Sequence, residues 1–218
     1  MKKLAIVMIL AGALVACGGG GSNDSGTSAL VFNADAAFAL SLTNGVSLTG
    51  LVGNDAGRAF TASFAFAPAA DTVFAGVLRK RSAQTVSLST PGITTQTTVA
   101  QFFYTTGPAK LIGSTQTGSY IEYVSRGNLP VAGNVGQSGA FADAAIFTSS
   151  TKLTQVGTVA ISWSIEADTA TTAFACLTSV TSGSAQTTEK DCFKINSAGA
   201  ILGGRISLTA PGINLTLQ

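Results

Sequence analysis

From Ala29 onward apolar and polar residues alternate with a period of two over nearly every segment, the pattern of strands with one buried and one solvated face. In "RAFTASFAF" Phe60, Ala62, Phe64 and Phe66 fall on one side, and in "TVAISWSIEA" Val159, Ile161, Trp163 and Ile165 do the same. Those faces are the predicted core. The same reading makes strands of "FALSLT", "VSLTGLV", "TVFAGVLRK", "QTVSLS", "TTVAQFFY", "SYIEYVS", "AAIFTS", "AFACLTSV", "CFKIN" and "GGRISLT", with Gly, Asn, Asp and Ser turns between them. No long helical period competes. The expected fold is all-β: an antiparallel β-sandwich or β-barrel of many short strands.

Two segments echo each other, "VSLSTPGI" from Val86 and "ISLTAPGI" from Ile206. Each runs a strand into Pro-Gly, which suits a type II turn with glycine at positive φ. Convergence of two turn units accounts for so short an echo. The alternative is a duplicated module with halves meeting near residue 105.

The first residues have a different pattern. "MKK" precedes about a dozen apolar residues, "LAIVMILAGALVA", too short for a spanning helix of roughly twenty and laid out as a secretory signal. Leu14-Val15-Ala16-Cys17 resembles the lipobox of bacterial lipoproteins. The resemblance implies cleavage before Cys17, acylation of its thiol, and a stable anchor in the bilayer, since several acyl chains each contribute roughly 0.8 kcal/mol per buried CH₂. "GGGGSNDSGTS" then reads as a solvated tether reaching on the order of 15 to 20 Å. Gly18 stands where an aspartate commonly marks inner-membrane retention in that class, so the expected location is the outer membrane. The expected organisation is a signal over 1–16, a lipidated cysteine and tether over 17–28, and one β domain over 29–218. A membrane-spanning barrel fits less well, because its strands would carry aromatic girdles and it would need no lipid anchor.

Composition narrows function mainly by exclusion. Without Lys2 and Lys3, ten basic residues face ten acidic ones, so there is no electrostatic argument for nucleic acid. The chain has no histidine, which removes Ser-His-Asp and Cys-His chemistry and the usual zinc ligand sets. Carboxylates for a glycosidase exist in Glu122, Glu166, Asp168 and Asp191, but each reads more simply as a strand or turn residue. "GNDAGR" (53–58) and "EADT" (166–169) lack the dense oxygen-ligand spacing of a calcium loop, so no metal and no cofactor is expected. With Cys17 committed to lipid, Cys176 and Cys192 should form a disulfide that staples a hairpin across a polar turn, worth roughly 3 kcal/mol for a loop of about 15 residues.

The remaining candidate contacts are few. Arg79, Lys80 and Arg81 form the only charge run, with both arginines on one face of a strand; it suits a lipid phosphate or acidic polymer, or a solvated edge. Phe102, Phe103 and Tyr104 are consecutive, so at least one aromatic must leave the main core. Tyr120 and Tyr123 flank Glu122, and aromatic neighbours are common around sugars. The expected protein is therefore not an enzyme but a lipid-anchored envelope protein for display, attachment or assembly with a protein or surface partner. The alternative is a barrel holding a small apolar molecule or sugar.

Overall fold

The computed structural model describes residues 29–218, so Cys17 and the glycine tether lie outside the described residues. One helix, α1 (Ala34–Thr43), is followed by thirteen strands: β1 (Val46–Asp55), β2 (Arg58–Phe74), β3 (Val77–Thr90), β4 (Ile93–Thr105), β5 (Lys110–Gln116), β6 (Ser119–Glu122), β7 (Val124–Ser125), β8 (Ser138–Phe147), β9 (Gln155–Ala167), β10 (Thr172–Ser182), β11 (Thr187–Asn196), β12 (Ile201–Ala210) and β13 (Ile213–Leu217). Each strand pairs antiparallel with its neighbour in sequence, except that β6 and β7 together form one interrupted strand against β8. The sheet runs unbroken past residue 105.

It closes on itself, because Val52 and Gln218 exchange backbone hydrogen bonds of 3.1 and 3.2 Å between β1 and the end of β13. This near-closure of the meander brings together the two edges that a sandwich must protect. Of the two expected architectures, the chain adopts the barrel.

The period of two decides what faces inward. Phe64, Phe66, Val86, Leu88, Phe102, Ile161, Ile165, Phe193 and Ile195 join one buried cluster. The outer wall carries hydroxyl ladders such as Ser87–Thr97 at 3.0 Å and Ser207–Thr216 at 3.1 Å. An apolar inside and a hydroxyl-rich outside is the reverse of a membrane-spanning barrel, whose lipid face must be apolar. In β1 the phase slips between Leu48 and Leu51, where Gly50 sits at φ 70°. This bulge turns both leucines inward despite their odd spacing.

Two expected strands are corrected. "FALSLT" belongs to α1, and the reason is legible afterwards: Asn33 caps the helix by accepting the Ala36 N–H at 2.9 Å, and Asp35 lies in its first turn. Ala34, Ala37, Phe38, Ser41 and Leu42 form its buried stripe at helical spacing. The helix plugs one end of the barrel, with Phe38 edge-on to Phe141 at 5.7 Å and the Tyr104 hydroxyl donating to the Leu42 carbonyl at 3.1 Å. "TVFAGVLRK" is not one strand but the tip of the β2–β3 hairpin, turning at Ala75 and Gly76, both at positive φ. The Pro-Gly echoes end as matching turns, with Gly92 and Gly212 each at φ 78°.

Candidate functional site

A cleft of about 770 Å³ lies on the outer wall, between the tip of the β2–β3 hairpin, the turn from β5 to β6, and the loop from β8 to β9. The hairpin is long, and a register shift between Ala69 and Thr72 lets its tip curl back over the wall. Phe74 from this tip stacks on Phe103 at 4.2 Å and on Tyr120 at 5.2 Å, forming a second buried cluster separate from the core. Each such ring pair contributes about 0.5–1.5 kcal/mol beyond its burial. Phe103 is thus the aromatic of its run that leaves the core, while Phe102 and Tyr104 stay in it.

Charge enters the cleft through Glu122. It accepts from the Tyr120 hydroxyl at 2.7 Å and from Lys152 at 2.6 Å. The Lys152 hydrogen bond holds its carboxyl below the usual range, against a smaller opposing effect of burial and with help from Tyr120. Burial, then the Glu122 hydrogen bond and charge, push the Tyr120 hydroxyl up to about 12. Around this ion pair stand Thr115, Gln116, Ser119, Thr148, Ser149 and Ser150, so the lining is rich in hydroxyl groups.

The other predicted contacts lie elsewhere. Tyr123 faces inward, with its hydroxyl 3.3 Å from that of Ser114, and burial raises it to about 12. Tyr104 is raised by burial and by the Asp71 charge. Arg79 and Arg81 share the outer face at the root of the hairpin tip; Arg81 donates to the Ala70 carbonyl at 3.1 Å, and the buried Arg79 Nε has no partner. Lys80 is exposed. Beside them the tip presents Val73 and Leu78, each 65% exposed, and Val77 at 48%.

Cys176 and Cys192 are bonded, directly opposite one another on β10 and β11. The bond sits on the outer wall beneath an ion network in which Glu166 accepts from Lys190 and Arg205, and Arg205 stacks over Phe174 at 4.1 Å. Burial would raise the Glu166 carboxyl, but Lys190, Ser164 and Arg205 together lower it. Asp168 behaves alike under Lys194, Thr172 and Arg205. Glu166 lies close to both sulfurs, yet the sulfurs are bonded to each other and offer no thiolate to a metal.

The interior is packed. Its cavities measure about 10 to 40 Å³, room for one or a few waters, against the several hundred Å³ of a small-molecule site. One feature there escaped the sequence reading: Glu189 faces inward from β11, 7% exposed, on the same side as Asp191, Phe193 and Ile195. The signal was the strand's alternation itself, which puts both acids of "TTEKDCFKIN" on the core parity.

Comparison with known proteins finds no match: no protein-family model, no curated protein and no solved structure is similar to the chain.

Proposed function

We propose that the chain is a lipid-anchored, non-catalytic protein of the bacterial outer membrane, held through Cys17, whose barrel attaches to or assembles with a protein partner by its outer wall. The observation that carries this reading is the contrast between an interior whose cavities around Phe38, Val86, Phe102 and Leu215 measure about 10 to 40 Å³ and an outer wall with a cleft of about 770 Å³ beside exposed Val73, Val77 and Leu78. Exposed apolar side chains next to arginines make the kind of anchor that protein interfaces use. The Leu14–Cys17 segment and the glycine tether support the anchor.

The test places a photo-reactive amino acid at Leu78, and at Thr209 on the outer face of β12 as control, in cells that carry the full chain. An envelope protein joined from position 78 and not from 209 is expected; equal or no capture at 78 contradicts the reading. Acylation is checked by labelling with a palmitate analogue, which Cys17→Ser should abolish.

A second reading, a small polar ligand in the cleft, is favoured by the Glu122–Lys152 pair among hydroxyl groups. It predicts retention of a low-mass molecule that Glu122→Gln releases.

A further inference from the structure

Helix α1 is apolar on its outer side as well as its inner one. Asp35 is the one charged residue of "ADAAFALSLT", and its carboxylate accepts the Ala109 N–H at 3.1 Å. Ala34, Phe38 and Leu42 point into the barrel, while Ala36, Leu40 and Thr43 occupy the opposite face, where the Thr43 hydroxyl turns back to the Ala39 carbonyl at 2.8 Å. The protein braces the helix from its sides. The Pro130 carbonyl accepts from the N–H groups of Ala34 and Asp35 at 3.0 and 3.2 Å, and the 197–200 turn packs so closely that a Cβ on Gly199 would fall 2.5 Å from the Asn33 carbonyl oxygen. Leu40 is nevertheless left 39% exposed. Helices that are apolar all round are normally covered all round.

More exposed apolar side chains surround the start of this helix. Phe32 and Gly133 exchange backbone hydrogen bonds of 2.8 and 2.9 Å, and within two residues of that bridge stand Leu30, Val31 and Val131, all exposed, Val131 by 67%. The opposite end of the barrel has exposed Ile93 and Leu153, but these belong to separate turns, β3–β4 and β8–β9. The chain enters the barrel at the α1 end. Eleven residues of Gly/Ser-rich sequence separate Cys17 from Ala29, a reach on the order of 15 to 20 Å for that composition.

We propose that the α1 end of the barrel is a membrane-docking face, on which Leu30, Val31, Leu40 and Val131 enter the headgroup boundary of the bilayer that holds Cys17. The proposal rests on the lipid anchor of the proposed function and adds the orientation of the barrel. A tether attached at this end brings this end nearest the bilayer, and it makes the contact intramolecular, so that a modest interfacial affinity suffices. At ten residues α1 is too short to span and lies in the interface instead. The four contact residues carry no charge, so docking should neither require anionic lipid nor weaken in salt. The cleft on the outer wall stays free for its partner.

The test uses the full acylated chain in vesicles of phosphatidylethanolamine and phosphatidylglycerol, with a fluorescent amino acid in place of Val131 or, at the opposite end, of Thr117, and a nitroxide-labelled lipid as short-range quencher. The chain should float with the vesicles, and the probe at 131 should be quenched at low and high salt while the probe at 117 is not. Val31→Asp combined with Leu40→Asp, both at exposed positions, should keep the Tm, still float, and lose the quenching at 131. A chain that floats without quenching at 131, equal quenching at both positions, or quenching that survives the double variant would each overturn the docking and leave the anchor standing. Crosslinking between copies at 131 in place of quenching would make the occupant a second chain and overturn it too. A chain that fails to float overturns the anchor, and the docking with it.

Discussion

The Phe74 ring occupies the space in which a side chain at Gly113 would stand. A Cβ on Gly113 would fall 2.1 Å from Cζ of Phe74 and 2.6 Å from the Ile121 carbonyl oxygen. The glycine is needed here for close approach, since without it the hairpin tip could not lie down on the wall. Gly113→Ala should therefore destabilise the barrel by about 1–3 kcal/mol through overpacking. Limited proteolysis should cut at Ala75–Gly76 as the lifted tip opens. Unchanged protection of the tip would mean that Phe74 does not hold it down.

Breaking the Cys176–Cys192 bond should cost about 3 kcal/mol, because the reduced unfolded chain regains the freedom of a loop whose ends are 16 residues apart. For a domain of this size that corresponds to a fall in Tm of about 6–12 °C, read by comparing oxidised protein with the Cys176→Ser, Cys192→Ser double variant. The barrel should remain folded, since the bond lies on the outer wall rather than in the core.

The inward acids give a pH dependence of definite sign. Burial raises both carboxyls, and the charge of Glu189 raises Asp191 further; Tyr123 is the other titrating group close to Glu189. A carboxyl whose folded pKa is raised favours the folded state below its unfolded value, about 4, and that advantage is lost as pH rises toward the folded value. The stability of the wild-type chain should therefore fall as pH rises from about 4 through neutrality. Denaturant midpoints should show a flatter profile for Glu189→Gln. Glu166 works in the opposite sense, since its lowered carboxyl loses stabilisation as pH drops below the usual range.

Removing β13 should open the barrel between β1 and β12. The Val52–Gln218 bonds and the Asn214 N–H to Asp55 bond would go with it, leaving two unpaired edges. Unpaired edges recruit other strands. Light scattering should show oligomers at concentrations where the intact chain is monodisperse.

The all-β strand pattern was legible because the walls are uniform: alternation set the faces of Phe60 to Phe66 and Val159 to Ile165, and the cysteine spacing set a hairpin staple. The helix was missed because Phe38, Leu40 and Leu42 also alternate. Only the stripe of Ala34, Ala37, Phe38, Ser41 and Leu42 with the Asn33 cap distinguishes it. The cleft was half visible, in the surplus aromatic at Phe103 and in Tyr120 beside Glu122. Its other parts, Phe74, Gly113 and Lys152, come from elements that meet only when the hairpin folds back, and no local pattern records that. The choice between barrel and sandwich rests on the Val52–Gln218 closure, a contact across nearly the whole domain.

The central claim is that the protein works with its outer wall and not with its interior, and a native mass spectrum of the chain from Ser22 onward, mixed with envelope extract, tests it most directly. The account predicts a barrel that carries no organic molecule and gains a protein partner, and that Leu78→Asp loses that partner. A retained small organic molecule, unaffected by Leu78→Asp and released on unfolding, would contradict it.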